Sequence, residues 1–258
     1  MNNLILEILR GLKGTFRDSP DISFQALVKA FGVKCCTVVH CGAGLVEEAQ
    51  IYHDTNFGPI YWIEAHPDIF QAAKKHLVRF PEQKIIEAAL WDECIKLKMN
   101  VASNLGSSSL LKSHLHAEIF PEITFLESFT VKTKRLDEIQ LTVDYGSLLV
   151  MDLQGAELKA LRGAWAILPK FNYIYIEVAE LELYEGAPQI REIVDFLYTD
   201  FELVDWQISK RYGYGNLFFI RNDIVKLPRL RRIIRLFLAF GTSIQDIIFR
   251  NKEHVFPR

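Results

Sequence analysis

The chain has 258 residues, half of them hydrophobic and 24% charged, with a formal net charge of −2. That length suits one large α/β domain with additions and would cramp two full domains, and the composition is globular rather than disordered. The near-neutral charge gives no global field for nucleic acid or an acidic substrate.

Residues 1–34 read as a helical preface. Leu4, Ile8 and Leu12 share a face, Asp18-Ser19-Pro20-Asp21 breaks the pattern, residues 23–31 resume it, and Gly32 ends the segment as a C-cap. The preface is expected to pack on a sheet, with covering a site as the alternative. Its apolar run at residues 4–9 is interrupted by Glu7 and lacks a small-residue cleavage site, which makes a poor signal peptide. The cysteines, Cys35, Cys36, Cys41 and Cys94, form no C-x-x-C pair and have no histidine at metal-ligand spacing. They read as reduced thiols in a cytosolic protein.

Residues 37–65 organise the rest: an apolar run, a Gly42-Ala43-Gly44 turn, a helical segment, and a second apolar run ending on Glu64 and Ala65. A strand, glycine turn, helix and acid-tipped strand make one mononucleotide-binding half of a doubly wound sheet. The glycines allow close backbone approach to a ligand, and the carboxylate can accept hydrogen bonds from a ribose. A dinucleotide fingerprint needs a small third residue where this chain has Glu47, whose charge would repel a pyrophosphate at the helix N-terminus. A cofactor without phosphates, such as S-adenosylmethionine, fits better. An ordinary strand-turn-helix is the bland alternative.

Pro67 opens a helix that runs to about Arg79, where Phe80-Pro81 stops it. Residues 84–90 are a third apolar strand, so Ala88, Ala89 and Leu90 could flank an adenine ring. Residues 95–102 alternate like a half-exposed strand and lead to a polar loop, Asn104-Leu105-Gly106-Ser107-Ser108-Ser109, read as a solvated turn or as a source of hydroxyls for a ligand. His114 and His116 follow and read as exposed loop histidines, since no carboxylate or cysteine completes a metal set. No metal site is expected. Residues 125–133 form another strand, and Arg135-Leu136-Asp137-Glu138-Ile139 starts a short helix.

Residues 148–152 are a near-continuous apolar run ending on Asp152, as expected of a parallel strand covered on both faces. Asp152 therefore stands at the carboxyl edge, as a site residue or as a helix cap. Gly155 turns into a helix that ends near Gly163. Residues 173–178 repeat the form with Glu177 near the strand's end. A helix over 188–198 precedes strands at 201–208 and 216–220, whose tight connection predicts an antiparallel hairpin at a sheet edge. The expected architecture is a doubly wound α/β sheet of about seven strands with the last one antiparallel.

The tail departs in composition. Residues 224–240 carry five basic and no acidic residues, with Leu230, Ile233, Ile234, Phe237 and Phe240 gathered opposite Arg231, Arg232 and Arg235. Such an amphipathic helix could pack on the domain, or make a membrane-surface or oligomer contact. No apolar stretch approaches the roughly 20 residues that span a bilayer. The chain thus divides into an N-terminal extension (1–34), a main domain (35–222) and a basic C-terminal extension (223–258), in a cytoplasmic protein that could sit peripherally at a membrane.

The motifs together resemble the FkbM-type methyltransferase family over roughly residues 36–221. They are His40-Cys41-Gly42-Ala43-Gly44, Tyr61-Trp62-Ile63-Glu64-Ala65-His66-Pro67, Ala89-Leu90-Trp91-Asp92, Ser107-Ser108-Ser109-Leu110, Arg135-Leu136-Asp137-Glu138, Met151-Asp152-Leu153-Gln154-Gly155-Ala156-Glu157-Leu158 and Tyr175-Ile176-Glu177-Val178. The resemblance implies a class I methyltransferase fold and S-adenosylmethionine-dependent methylation of a hydroxyl on a sugar, glycan or natural product. It implies that Gly42, Ala43 and Gly44 hold the methionine part of the cofactor, Glu64 with Ala65 the ribose, and Ala89 and Leu90 the adenine. Asp152 would face the methionine end or the substrate, and Asp152 and Glu177 are the candidate bases. Three positions depart: His40 and Gln154 stand where many members have an acid, and Val46 where many have a glycine. Val46 would narrow the cofactor pocket, which keeps a non-catalytic binding or scaffold protein open as an alternative. An NAD-dependent oxidoreductase is the other, because Glu64 lies 20 residues beyond Gly44.

Overall fold

The computed structural model describes residues 24–209 and 212–225. The first predicted helix, and the basic amphipathic segment beyond its first two residues, lie outside the described residues.

The chain enters through helix α1 (Phe24–Phe31) and then β1 (Val38–Cys41), α2 (Ala49–Asp54), β2 (Ile60–Glu64), α3 (Pro67–His76) and β3 (Gln83–Glu87). His66 caps α3, accepting a hydrogen bond from the Asp68 amide, with Pro67 in the first turn where its missing N–H costs nothing. An excursion follows: β4 (Ala89–Leu90), β5 (Lys96–Ala102), the single turn α4 (His116–Ile119) and β6 (Phe125–Lys134). The chain then returns through β7 (Ser147–Met151), α5 (Glu157–Arg162), β8 (Phe171–Ala179), α6 (Ile190–Leu197), β9 (Phe201–Ile208) and β10 (Tyr214–Arg221).

Seven strands form one sheet in the order β3-β2-β1-β7-β8-β10-β9. β10 runs antiparallel to both neighbours, and the other pairings are parallel. Residues of the central strands alternate between two cores. Val39, Cys41, Ile63, Leu149 and Met151 pack on the face covered by α5 and α6. Val38, Trp62, Leu148 and Val150 pack on the face covered by α1, α2 and α3. Both faces are buried, which is why these strands read as unbroken apolar runs. α1 packs on the sheet as expected: Phe24 meets Tyr52, Phe57 and Tyr175 edge-on, and Phe31 lies against Phe218.

Two expectations are corrected. The predicted strand over 84–90 is broken at Ala88: β3 stays in the main sheet, while β4 joins a second sheet in the order β4-β6-β5. The predicted helix at 135–139 is a single 3-10 turn, Leu136–Glu138, braced by the Arg135–Asp137 ion pair at 2.7 Å. The crossover lies between β1 and β7, where strand order reverses. A ligand crevice is expected at the carboxyl ends of these two strands.

Candidate active site

β1 delivers the glycine turn to that crevice. Gly42 and Ala43 both donate to the Ile63 carbonyl, at 2.9 and 3.0 Å, which pins the turn against the end of β2. Gly42 has φ +87°, and a Cβ there would lie 1.8 Å from the Asp152 carbonyl oxygen. No other residue fits so close to a crossing backbone. Gly44 also has positive φ, but a Cβ there would meet nothing within 4 Å. One glycine is needed to pack the turn, and the other leaves the crevice open.

Glu64 ties this wall together. Its Oε1 accepts from the amides of Ala65 and His66, both at 2.8 Å, and its Oε2 accepts from the Gly44 amide at 3.1 Å. Burial pushes its carboxyl above the usual range, and the backbone donors oppose that shift. Oε2 keeps capacity for a further donor.

β7 delivers the opposite wall. Asp152 follows its last residue and is exposed. It does not cap a helix, because α5 begins at Glu157 with Ala156 at its N-cap. Gln154 sits beside it with φ +51°, a left-handed conformation uncommon for a residue other than glycine. Its Nε2 donates to Asp152 Oδ1 at 2.6 Å and to Glu177 Oε2 at 3.0 Å. Its Oε1 accepts from the Tyr184 hydroxyl at 2.9 Å, and its carbonyl accepts from Ser109 Oγ at 2.7 Å. The amide orientation is forced, since a flipped amide would aim its oxygen at two carboxylates. Asp152, Glu157 and Glu177 present carboxylate oxygens within 4.8 Å of one another, but Gln154 already bridges two of these acids. Glu157 is buried beneath the turn, where it accepts from the Leu153 and Gly155 amides. Burial pushes its carboxyl up to about 7.

Two cavities meet at this wall. The smaller is lined by Gly42, Gly44, Glu64, Ala65, Ala88, Leu90 and Asp152, and roofed by Leu105, Gly106, Ser108 and Ser109. The larger, about 680 Å³, is lined by Glu47, His116, Phe120, Glu177, Tyr184, Tyr212 and Tyr214 among others. Asp152, Gln154 and Gly106 line both.

Of the predicted cofactor residues, Ala43 and Ala89 lie away from the smaller cavity. Ala43 packs into the core behind the turn, and Ala89 pairs with Thr133 in the second sheet, leaving Ala88 at the cavity in its place. Glu177 lines only the larger cavity. Sequence reasoning missed His66, Met99 and Leu153 in the smaller cavity. Met99 lies on β5, whose return to the crevice no local pattern announces. The serine loop, read as either solvated turn or ligand contact, has Ser107 and Ser109 buried and Ser108 at the cavity. His114 is exposed, as expected, whereas His116 is buried against three aromatic rings.

Two of the departures lie behind the site. His40 stacks on Trp62 (4.5 Å, 26°) and its Nδ1 lies 3.0 Å from the Tyr52 hydroxyl. Burial lowers its pKa to about 4, with Asp152 opposing, so it is a neutral core residue at physiological pH. Val46 has φ +57°, the backbone a glycine would adopt freely, yet its side chain is buried among Ala43, Ala49 and the other residues of the core behind the turn. It does not line the smaller cavity, so the expected narrowing is corrected.

A doubly wound sheet of seven strands with one reversed strand, and a crevice between a glycine turn and an acid, is the class I methyltransferase architecture. The chain belongs to the FkbM methyltransferase family: the methyltransferase FkbM domain matches residues 40–214. It is 27% identical over 154 residues to the 2-O-methyltransferase NoeI of Sinorhizobium fredii, a match covering 56% of this chain and 63% of that protein. The chain thus spans less than two thirds of this curated relative's length. Among solved structures it resembles a putative tRNA methyltransferase of Streptococcus pneumoniae (10% identity, TM-score 0.45, covering 92% of this chain and 90% of the other). It also resembles a SAM-dependent methyltransferase of Aquifex aeolicus (14% identity, TM-score 0.39, covering 83% and 98%). No helix of the described residues is long and apolar enough to cross a membrane.

Proposed function

We propose that the protein transfers a methyl group from S-adenosylmethionine to a hydroxyl of a sugar, glycan or small natural product. The observation that carries this reading is the wall shared by the two cavities, with Asp152 facing both. The smaller cavity fits the cofactor on two counts: Gly44 opens onto free space, and Glu64 Oε2 can accept one more hydrogen bond. Gly42 and Gly44 would hold the methionine part, Glu64 with Ala65 the ribose, and Ala88 and Leu90 the adenine. When bound, S-adenosylmethionine supplies a methyl group activated on a sulfonium.

The chain's own work is alignment and proton removal. An alcohol must lose its proton as it attacks. Asp152 Oδ1 is engaged by Gln154, which leaves Oδ2 for the acceptor hydroxyl. Asp152 is therefore the favoured base, and Glu177, two hydrogen bonds away through Gln154, the second candidate. The name of the relative NoeI, a 2-O-methyltransferase, supports oxygen as the acceptor atom. Membership of a methyltransferase family removes the reason for an NAD-dependent reading. Val46 lies outside the smaller cavity, which favours the catalytic reading over the non-catalytic alternative.

Calorimetry with S-adenosylhomocysteine and with NAD tests the cofactor. The adenosyl ligand should bind, NAD should not, and Glu64→Ala should weaken binding at least tenfold. Preferential binding of NAD would overturn the reading.

A further inference from the structure

The acids of the second wall crowd one another. Asp152, Glu157 and Glu177 bring carboxylate oxygens within 4.8 Å of each other, and like charges that close favour keeping a proton on one of them. The titratable groups facing Asp152 from the neighbouring elements are Glu64 at the end of β2, His40 on β1, Glu157 on α5, Glu177 on β8 and Tyr184 beyond it. Glu47 and Glu122 line the larger cavity beside them. None of these is a cation at neutral pH, since burial keeps His40 uncharged. Among the described residues no ion pair reaches Asp152 or Glu157.

One amide stands between Asp152 and Glu177. Gln154 Nε2 donates to both, at 2.6 and 3.0 Å, and so favours the ionised form of each without bringing a charge of its own. The donor is held in place from behind: Tyr184 fixes Oε1 at 2.9 Å, and Ser109 Oγ fixes the main-chain carbonyl at 2.7 Å. The backbone at φ +51° is one that a residue other than glycine adopts at a cost, and it persists here under four hydrogen bonds. We propose that Gln154 is the positioning residue of the site: its amide keeps Asp152 ionised beside Glu177 and leaves Oδ2 as the oxygen that receives the acceptor's proton. This rests on the reading of Asp152 as the base.

The test is a ¹³C NMR titration of the aspartate carboxyls in the full-length protein, with the Asp152 signal assigned by its absence in Asp152→Asn. Gln154→Met keeps the length of the side chain without its donors, and should move the Asp152 titration up by about one pH unit or more. Unmoved amide signals of Gly42, Gly44 and Ala65 will show that the first wall is intact. Gln154→Gly, whose backbone takes a positive φ without strain, should move the titration in the same direction and decides the question should Gln154→Met not fold. Adding Glu177→Gln removes the neighbouring charge and should return at least half of the shift, a rescue that a purely structural role would not give. An unmoved Asp152 titration in the Gln154 variants, or a shift that Glu177→Gln leaves untouched, would overturn the proposal. With the methyl glycosides of glucose, galactose, mannose and rhamnose as acceptors, the acidic limb of turnover should follow the NMR shift. A shifted titration with an unshifted limb would instead sink Asp152 as the base and leave the hold of Gln154 on it standing. The NMR titration needs no acceptor, so it decides the role of Gln154 whichever hydroxyl is methylated.

Discussion

The two walls of the crevice are built by different means. The wall at β1 and β2 is made of backbone: a glycine turn pinned to the Ile63 carbonyl, and one carboxylate taking three amide hydrogen bonds. The wall at β7 and β8 is made of side chains, with Gln154 joined to Asp152, Glu177, Tyr184 and Ser109. A backbone-built wall presents one fixed shape and suits a ligand common to a whole family. A side-chain wall can be rewritten residue by residue, and under the proposed function it is the wall that would meet the acceptor.

Gly42→Ala attacks the first wall where it has no slack. With its Cβ set against the Asp152 carbonyl and φ at +87°, the variant should lose about 3 kcal/mol or more in urea denaturation. A loss below 1 kcal/mol would mean that the turn adapts.

Behind the same wall, buried His40 titrates lower in the folded chain than its ordinary 6.5. Between that value and about 4 the unfolded chain binds a proton that the folded chain refuses, so stability falls as pH falls through this window. The loss attributable to His40 should reach about 1.5 kcal/mol between pH 6.5 and pH 5. Glu157, with its raised carboxyl, works in the opposite direction between 4.5 and about 7. The check is therefore the difference in pH slope between the wild type and His40→Asn, and equal slopes would refute it.

On the second wall the effect should be smaller. Tyr184→Phe removes the hydroxyl shared by Gln154 Oε1 and the Ser107 carbonyl, and should cost about 1 kcal/mol. S-adenosylhomocysteine affinity should stay unchanged. A large loss of that affinity would show that the two walls are not independent.

This difference in construction also governs what the sequence reveals. The glycine turn and Glu64 sit in one unbroken stretch, and apolar runs mark the central strands, so the first wall and the strands that carry it follow from local patterns, whereas the order of the seven strands belongs to the folded chain. The second wall draws on residues up to 77 positions apart, as Tyr184 and Ser107 are. His116 reads as an exposed loop residue because Phe120, Phe125 and Tyr184 close on it only after folding. Likewise, β5 and β6 are each legible as strands, but nothing local says that they leave the main sheet to pair with each other beside β4. Gln154 is visible in the sequence only as a missing acid, while its left-handed backbone and its four partners are properties of the folded chain.

The central claim is that Asp152, at the junction of the two cavities, takes the proton of an acceptor hydroxyl. It is tested most directly by methyl transfer from isotope-labelled S-adenosylmethionine to a panel of glycosides, comparing wild type, Asp152→Asn and Glu177→Gln. Asp152→Asn should lower turnover by about 10²–10⁴-fold with S-adenosylhomocysteine affinity nearly intact, and Glu177→Gln should lower it less. Normal turnover in both variants would contradict the account.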